Sequence, residues 1–197
     1  MRYSERMPTD RFGSLAEVAA DKYGLFTLDD ARAVGYRDNT VAQMARRGRV
    51  TRVSQGVYRI PFLPEGRLGA YMEAVLWPVG AQGVLSHATA LDLWDVSDVN
   101  PAKLHVTVPR SHRPQRAVPQ AYVVHREDLP TGDVTAIEGI PIVTLERSVR
   151  ECADDGLGHD LLDQAVRNGR ARGLLTARQA GALARELNLE RVAETRA

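Results

Sequence analysis

Six arginines, Arg37, Arg46, Arg47, Arg49, Arg52 and Arg59, stand within residues 37–59 against a single acid, Asp38. Such a stripe suits a polyanion, because each phosphate met by a guanidinium releases condensed counterions. Among the arginines lie Asn39, Thr40 and Gln43. Asn and Gln can pair bidentately with adenine, Arg with guanine, and Thr can touch the thymine methyl group. Asn39, Thr40, Gln43 and Arg47 are therefore the candidate base readers, and Arg37, Arg46, Arg49, Arg52 and Arg59 the candidate phosphate or wing contacts. The alternative is a solvated face in a chain with 24 arginines and two lysines, some of them bracing a hairpin through acids such as Asp29 and Asp30.

Other chemistry finds less support. The five histidines, His87, His105, His112, His125 and His159, are too far apart in sequence to form a local ligand pair, and no metal site is expected. No HExxH, glycine-rich phosphate loop or nucleophile elbow is present, so neither a catalytic residue nor a cofactor is assigned. His87 beside Ser86 is the most tempting general base, but a serine at a helix start is more simply an N-cap. Glu151, Asp154 and Asp155 read as a solvated C-terminal turn, and Cys152 as a core residue. Arg110, Arg113 and Arg116, with His112, form a basic turn between Pro109 and Pro119. It is either a second DNA contact, a patch for an acidic partner, or a soluble loop.

The elements that would carry these residues can be read from caps and periodicity. Ser14 and Glu17 predict a capped first helix running to about residue 22, stopped by Gly24. Thr27 with Asp30 caps a second helix that Gly35 ends, and a third runs from 38 or 39 to 47 with Val41, Met44 and Ala45 inward. Residues 49–53 and 57–60 read as a hairpin turning at Gly56. Three helices and a hairpin in this order predict a winged helix-turn-helix whose third helix turns Asn39, Thr40, Gln43 and Arg47 outward.

Pro61, Pro64 and Gly66 suggest a boundary, giving a winged helix over 1–64 and a larger mixed α+β domain over 65–197. In the second part, helices are expected at 68–77, 86–94, from Thr144, at 160–170 and at 177–187. Strands are expected at 104–108, 121–125, 134–137 and 140–143. The fold class is thus α+β. The chain has 197 residues, 44% of them hydrophobic, and can bury sizeable cores without disulfides or metals. A single cysteine and the absence of an apolar leader or membrane-length run point to a soluble, cytoplasmic protein.

Residues 24–61, GLFTLDDARAVGYRDNTVAQMARRGRVTRVSQGVYRIP, resemble the N-terminal winged helix of AbiEi-type antitoxins, the repressor half of bacterial type IV toxin–antitoxin pairs. The Gly56-Val57-Tyr58-Arg59-Ile60 ending is the most specific part. The later chain is similar to the same family in its Leu85-Ser86-His87-Ala88-Thr89-Ala90-Leu91 stretch, its 104–109 strand, and Glu138-Gly139-Ile140-Pro141 before a Thr144 helix. The resemblance implies double-stranded DNA with inverted repeats in the chain's own promoter as one partner. It implies a cognate nucleotidyltransferase-like toxin, countered directly or functionally, as the other. Two alternatives stay open: a DNA-targeting component of a Vsr-like endonuclease system, which shares this front end, and a winged-helix module that binds protein.

Overall fold

The computed structural model describes residues 10–113 and 117–189. It divides into two compact units, Met1–Val79 and Gly80–Ala197. No helix among the described residues is long and apolar enough to cross a membrane.

The first unit begins with α1 (Arg11–Ala20), whose N-cap is Asp10; its carboxylate accepts the N–H groups of Phe12 and Gly13. The start lies before the Ser14–Glu17 box expected from sequence, because Asp10 supplies the acceptor that the first-turn amides need. Gly24, at φ +80°, takes the left-handed turn out of the helix. It leads into β1 (Leu25–Thr27), a strand too short to show a sequence period. Thr27 then caps α2 (Leu28–Ala33) through a reciprocal box with Asp30, which also holds Lys22 at 2.7 Å. Replacing Thr27 with alanine is expected to destabilise this unit by about 1 kcal/mol, seen as a lowered thermal midpoint.

Next come α3 (Asp38–Arg46), β2 (Thr51–Ser54) and β3 (Val57–Arg59). The strands pair antiparallel in the order β1-β3-β2, with an irregularity between Arg52 and Ser54. Leu15, Ala19, Phe26, Ala31, Val41, Met44, Val50, Tyr58 and Ile60 form the core. Phe26 and Tyr58 stack across the β1–β3 pair with ring centroids 5.6 Å apart. Since Val41 and Met44 are both buried, the fixed 100° step of the helix turns residues 39 and 43 to the other side and leaves the exposed residue 40 on the flank beside Met44. Helix α4 (Gly69–Leu76) packs against β1 and belongs to this unit, so the division falls after the Pro61–Gly66 stretch where the sequence suggested it.

The second unit is built on a five-stranded mixed sheet, ordered β6-β5-β4-β8-β7. Its strands are β4 (Val84–Leu85), β5 (Leu104–Val108), β6 (Tyr122–Arg126), β7 (Val134–Ile137) and β8 (Ile140–Val143). Strand β4 runs antiparallel to β5 and parallel to β8. Its two residues were not legible in the sequence, yet they join the two halves of the sheet. Helices α5 (His87–Trp94), α6 (Leu145–Asp154), α7 (His159–Ala171) and α8 (Ala177–Glu186) complete the unit. Their apolar faces meet in a core that includes Leu91, Val149, Cys152, Leu162, Leu175 and Leu183. Thr144 and Thr176 cap α6 and α8 with their side chains, as the sequence predicted.

Candidate nucleic-acid interface and a histidine cluster

On α3 and the turn after it, Asn39, Thr40, Gln43, Arg46 and Arg47 are all exposed. Positions 39, 43 and 47 follow one another at helical i, i+4 spacing and so lie along one stripe. Arg37 occupies the N-cap position, is exposed, and makes no side-chain cap bond. Among the described residues, none of Arg37, Arg46 and Arg47 has an acidic partner: the nearby acids are engaged elsewhere. Asp29 and Asp38 both bind Arg32, at 2.5 and 2.7 Å, and Asp30 binds Lys22. The bracing of the hairpin through Asp29 and Asp30 therefore does not occur.

The remaining arginines of the stripe divide. Arg49 is exposed, and its guanidinium carbon lies 5.0 Å from the centre of the Phe12 ring, a cation–π contact that holds the head group against α1. Arg52 is exposed on β2 and donates to the Ser54 carbonyl at 3.4 Å. Arg59 is different. Its side chain is 14% exposed, donates to the Tyr23 carbonyl at 3.1 Å and pairs with Glu65 at 3.1 Å. It ties β3 to the turn after α1, and its expected role at the wing does not fit that geometry. Sequence alone could not separate it from Arg52, because both sit in strand positions of the same hairpin.

In the second unit, Arg110 and Arg113 are exposed, and the Arg113 guanidinium donates to the carbonyls of Arg110 and His112. The Arg110 N–H donates to Asp128 at 3.0 Å, which anchors the turn to the chain after β6. Arg116, the third member of the basic turn, lies outside the described residues.

The sheet and its helices also create a constellation that sequence spacing hid. His87, His105 and His125, from the start of α5, from β5 and from β6, come together, with one ring nitrogen of each within 4.8 Å of the others. His105 Nδ1 lies 3.1 Å from His125 Nε2, and the His87 and His125 rings stack at 3.6 Å between centroids. These histidines are too far apart in sequence for a local pair, but β5 and β6 are neighbours in register. His125 pairs with Thr107, two residues from His105, so both rings stand on the same face. His159 and His112 are not members.

Around the histidines the polar groups are tightly partnered. Ser86 sits at the N-cap position of α5 without making the cap bond; its buried hydroxyl accepts from Thr107 at 2.8 Å and lies 3.0 Å from His87 Nδ1. His87 adopts φ +52°, a left-handed conformation uncommon for a residue with a side chain, and its N–H donates to Glu151 at 2.9 Å. Glu151 is buried rather than part of a solvated turn. Arg147 holds it at 2.8 Å while also reaching Glu127 at 2.6 Å and Asp133 at 3.4 Å.

Burial dominates the titration of this cluster. It lowers the His87 pKa to about 4, assisted by His105 and Arg147 and opposed by Asp155 and Glu127. Burial and the neighbouring imidazoles also lower His105 and His125. All three rings are thus held neutral, the form with a free nitrogen lone pair. Burial raises Glu151 despite the hydrogen bonds from the His87 N–H and Arg147. The Cys152 thiol, buried in the core as expected, is pushed up to about 12.

Residues 14–61 match the model of a protein family described as a transcriptional regulator, AbiEi antitoxin. This is the family that residues 24–61 resemble in sequence, and the match runs from within α1 through α2, α3 and the hairpin and includes all nine candidate DNA contacts. No curated protein matches the chain. Among solved structures, the chain is similar to the RV2827C protein from Mycobacterium tuberculosis at 18% identity and a TM-score of 0.49. The alignment covers 92% of this chain and 77% of that one.

Proposed function

We propose that this chain represses its own operon by binding promoter DNA and acts as the antitoxin that counters a nucleotidyltransferase-like toxin. In this reading residues 1–64 are a winged helix-turn-helix with α3 in the major groove and the β2–β3 hairpin as the wing. The second unit, residues 80–197, assists cooperative binding and opposes the toxin. The chain is cytoplasmic and works by binding, with no reaction of its own. The observation that carries the proposal is the outward stripe Asn39, Gln43 and Arg47 on α3, free of internal acidic partners and flanked by the exposed Arg37, Arg46, Arg49 and Arg52.

Three further facts support it. The element order α1-β1-α2-α3-β2-β3, with β3 central in its sheet, leaves α3 and the hairpin adjacent in sequence, with Arg37, Arg47 and Arg49 in the turns that flank α3. The matched family is one of antitoxin regulators. The acids that could have neutralised the stripe, Asp29, Asp30 and Asp38, are spent on Arg32 and Lys22.

Arg52 distinguishes backbone grip from base reading. Its replacement by alanine is expected to weaken binding to all duplexes alike and to lower the slope of log affinity against log salt by about one. Fluorescence anisotropy of the chain with two unrelated duplexes across a salt series measures both. A loss confined to one sequence would contradict a phosphate role.

A further inference from the structure

We infer that His87, His105 and His125 form a binding site for one divalent transition-metal ion, zinc foremost. Three side chains that can each offer a neutral imidazole nitrogen converge from three elements of the same unit, with ligand atoms within 4.8 Å of one another. Tetrahedral zinc, at about 2.0–2.1 Å from each nitrogen, separates its ligands by about 3.4 Å. His105 Nδ1 and His125 Nε2 stand 3.1 Å apart, a hydrogen-bonding distance just below that spacing, so a small parting of these two rings and a turn of the stacked His87 ring bring the three nitrogens onto one ion.

The surroundings favour a cation. Asp155, half exposed, places a carboxylate oxygen 4.0 Å from His87 Nε2, and Glu151 lies 3.5 Å from His87 Nδ1. Carboxylates beside ligating histidines fix the ring orientation and raise the basicity of the ligand. His87 holds a left-handed backbone at the first residue of α5, a cost that such a site would explain. The donor set of imidazoles and carboxylates contains no thiolate, since Cys152 is buried in the helical core, and suits zinc, nickel or copper over calcium. An ion here links the start of α5 to two neighbouring strands, β5 and β6.

The test uses the full chain, stripped with a chelator and dialysed, then titrated with zinc alone against a chromophoric indicator. Cobalt titration, followed by visible absorption, reports the coordination geometry. The parent chain and a His159→Ala control are expected to bind one equivalent per chain, with a rise in thermal midpoint on metal addition. His105→Ala and His125→Ala, shown folded by circular dichroism, should bind at least about tenfold more weakly. His125→Gln, which preserves polarity and approximate size, replaces either variant that does not fold. Absence of uptake and of any midpoint rise in the parent chain, or equal uptake by parent and His125→Gln, overturns the site and leaves a hydrogen-bonded histidine cluster.

Discussion

Replacing Gln43 and Arg47 together with alanine is expected to weaken binding to the chain's own promoter DNA by about 2–6 kcal/mol, at about 1–3 kcal/mol for each lost bidentate contact. Base preference should relax at the positions those side chains read, while the fold survives, because both residues are exposed and neither belongs to the core of Val41, Met44 and Tyr58. The size of the effect follows from where the side chains stand. A residue bound to an internal acid would first have to break that bond, and among the described residues Arg47 has no such partner. Competition binding with promoter variants checks this. A double variant that binds as tightly and as selectively as the parent would show that α3 is not the reading helix.

The second large effect lies in the other unit. Arg147→Met is expected to destabilise that unit by about 3 kcal/mol, because it removes the guanidinium from a buried carboxylate without removing the carboxylate. Glu151, with a side chain 6% exposed, would lose its one full cation among the described residues and keep the His87 N–H and the nearby His87 ring. Glu127 and Asp133 would lose their shared cation as well. The thermal midpoint should fall by about 6–12 °C. Burial raises the Glu151 pKa above its unfolded value against the pull of Arg147 and the His87 N–H, so this group contributes stability that is present at low pH and lost as pH rises. The deficit of the variant is therefore expected to be larger at neutral pH than in mildly acidic solution. Thermal melts of parent and variant across that range measure it, and equal midpoints would remove Arg147 from its organising role.

How much of this was legible in the sequence depends on how local each signal is. The capping pairs Thr27–Asp30 and Thr176–Gln179 and the turn at Gly56 are written in neighbouring residues, and the helices and hairpin they bound were read from them. The outward face of α3 followed from the spacing of Val41 and Met44. Strands β1 and β4, three and two residues long, carry no period of their own; pairing with β3, β5 and β8 makes them strands. The fate of Arg59 was hidden for a similar reason. Its partners, the Tyr23 carbonyl and Glu65, are set by the return of β3 beside β1 and by the chain beyond it. The histidine cluster is the clearest case: His87, His105 and His125 are gathered by the parallel register of β5 and β6 and by the placement of α5, none of which a linear motif records. Glu151 was read as solvated because its acidic neighbours Asp154 and Asp155 are; one turn of helix separates a buried carboxylate from exposed ones.

The central claim is sequence-specific DNA binding through α3 and the hairpin. Its most direct test is the affinity of the full chain, near physiological salt, for its own promoter fragment against a scrambled duplex of equal length and composition. Preference for the promoter by about a thousandfold or more, with both affinities falling steeply as salt rises, is the expected result. Equal affinity for the two duplexes, or no dependence on salt, would contradict it.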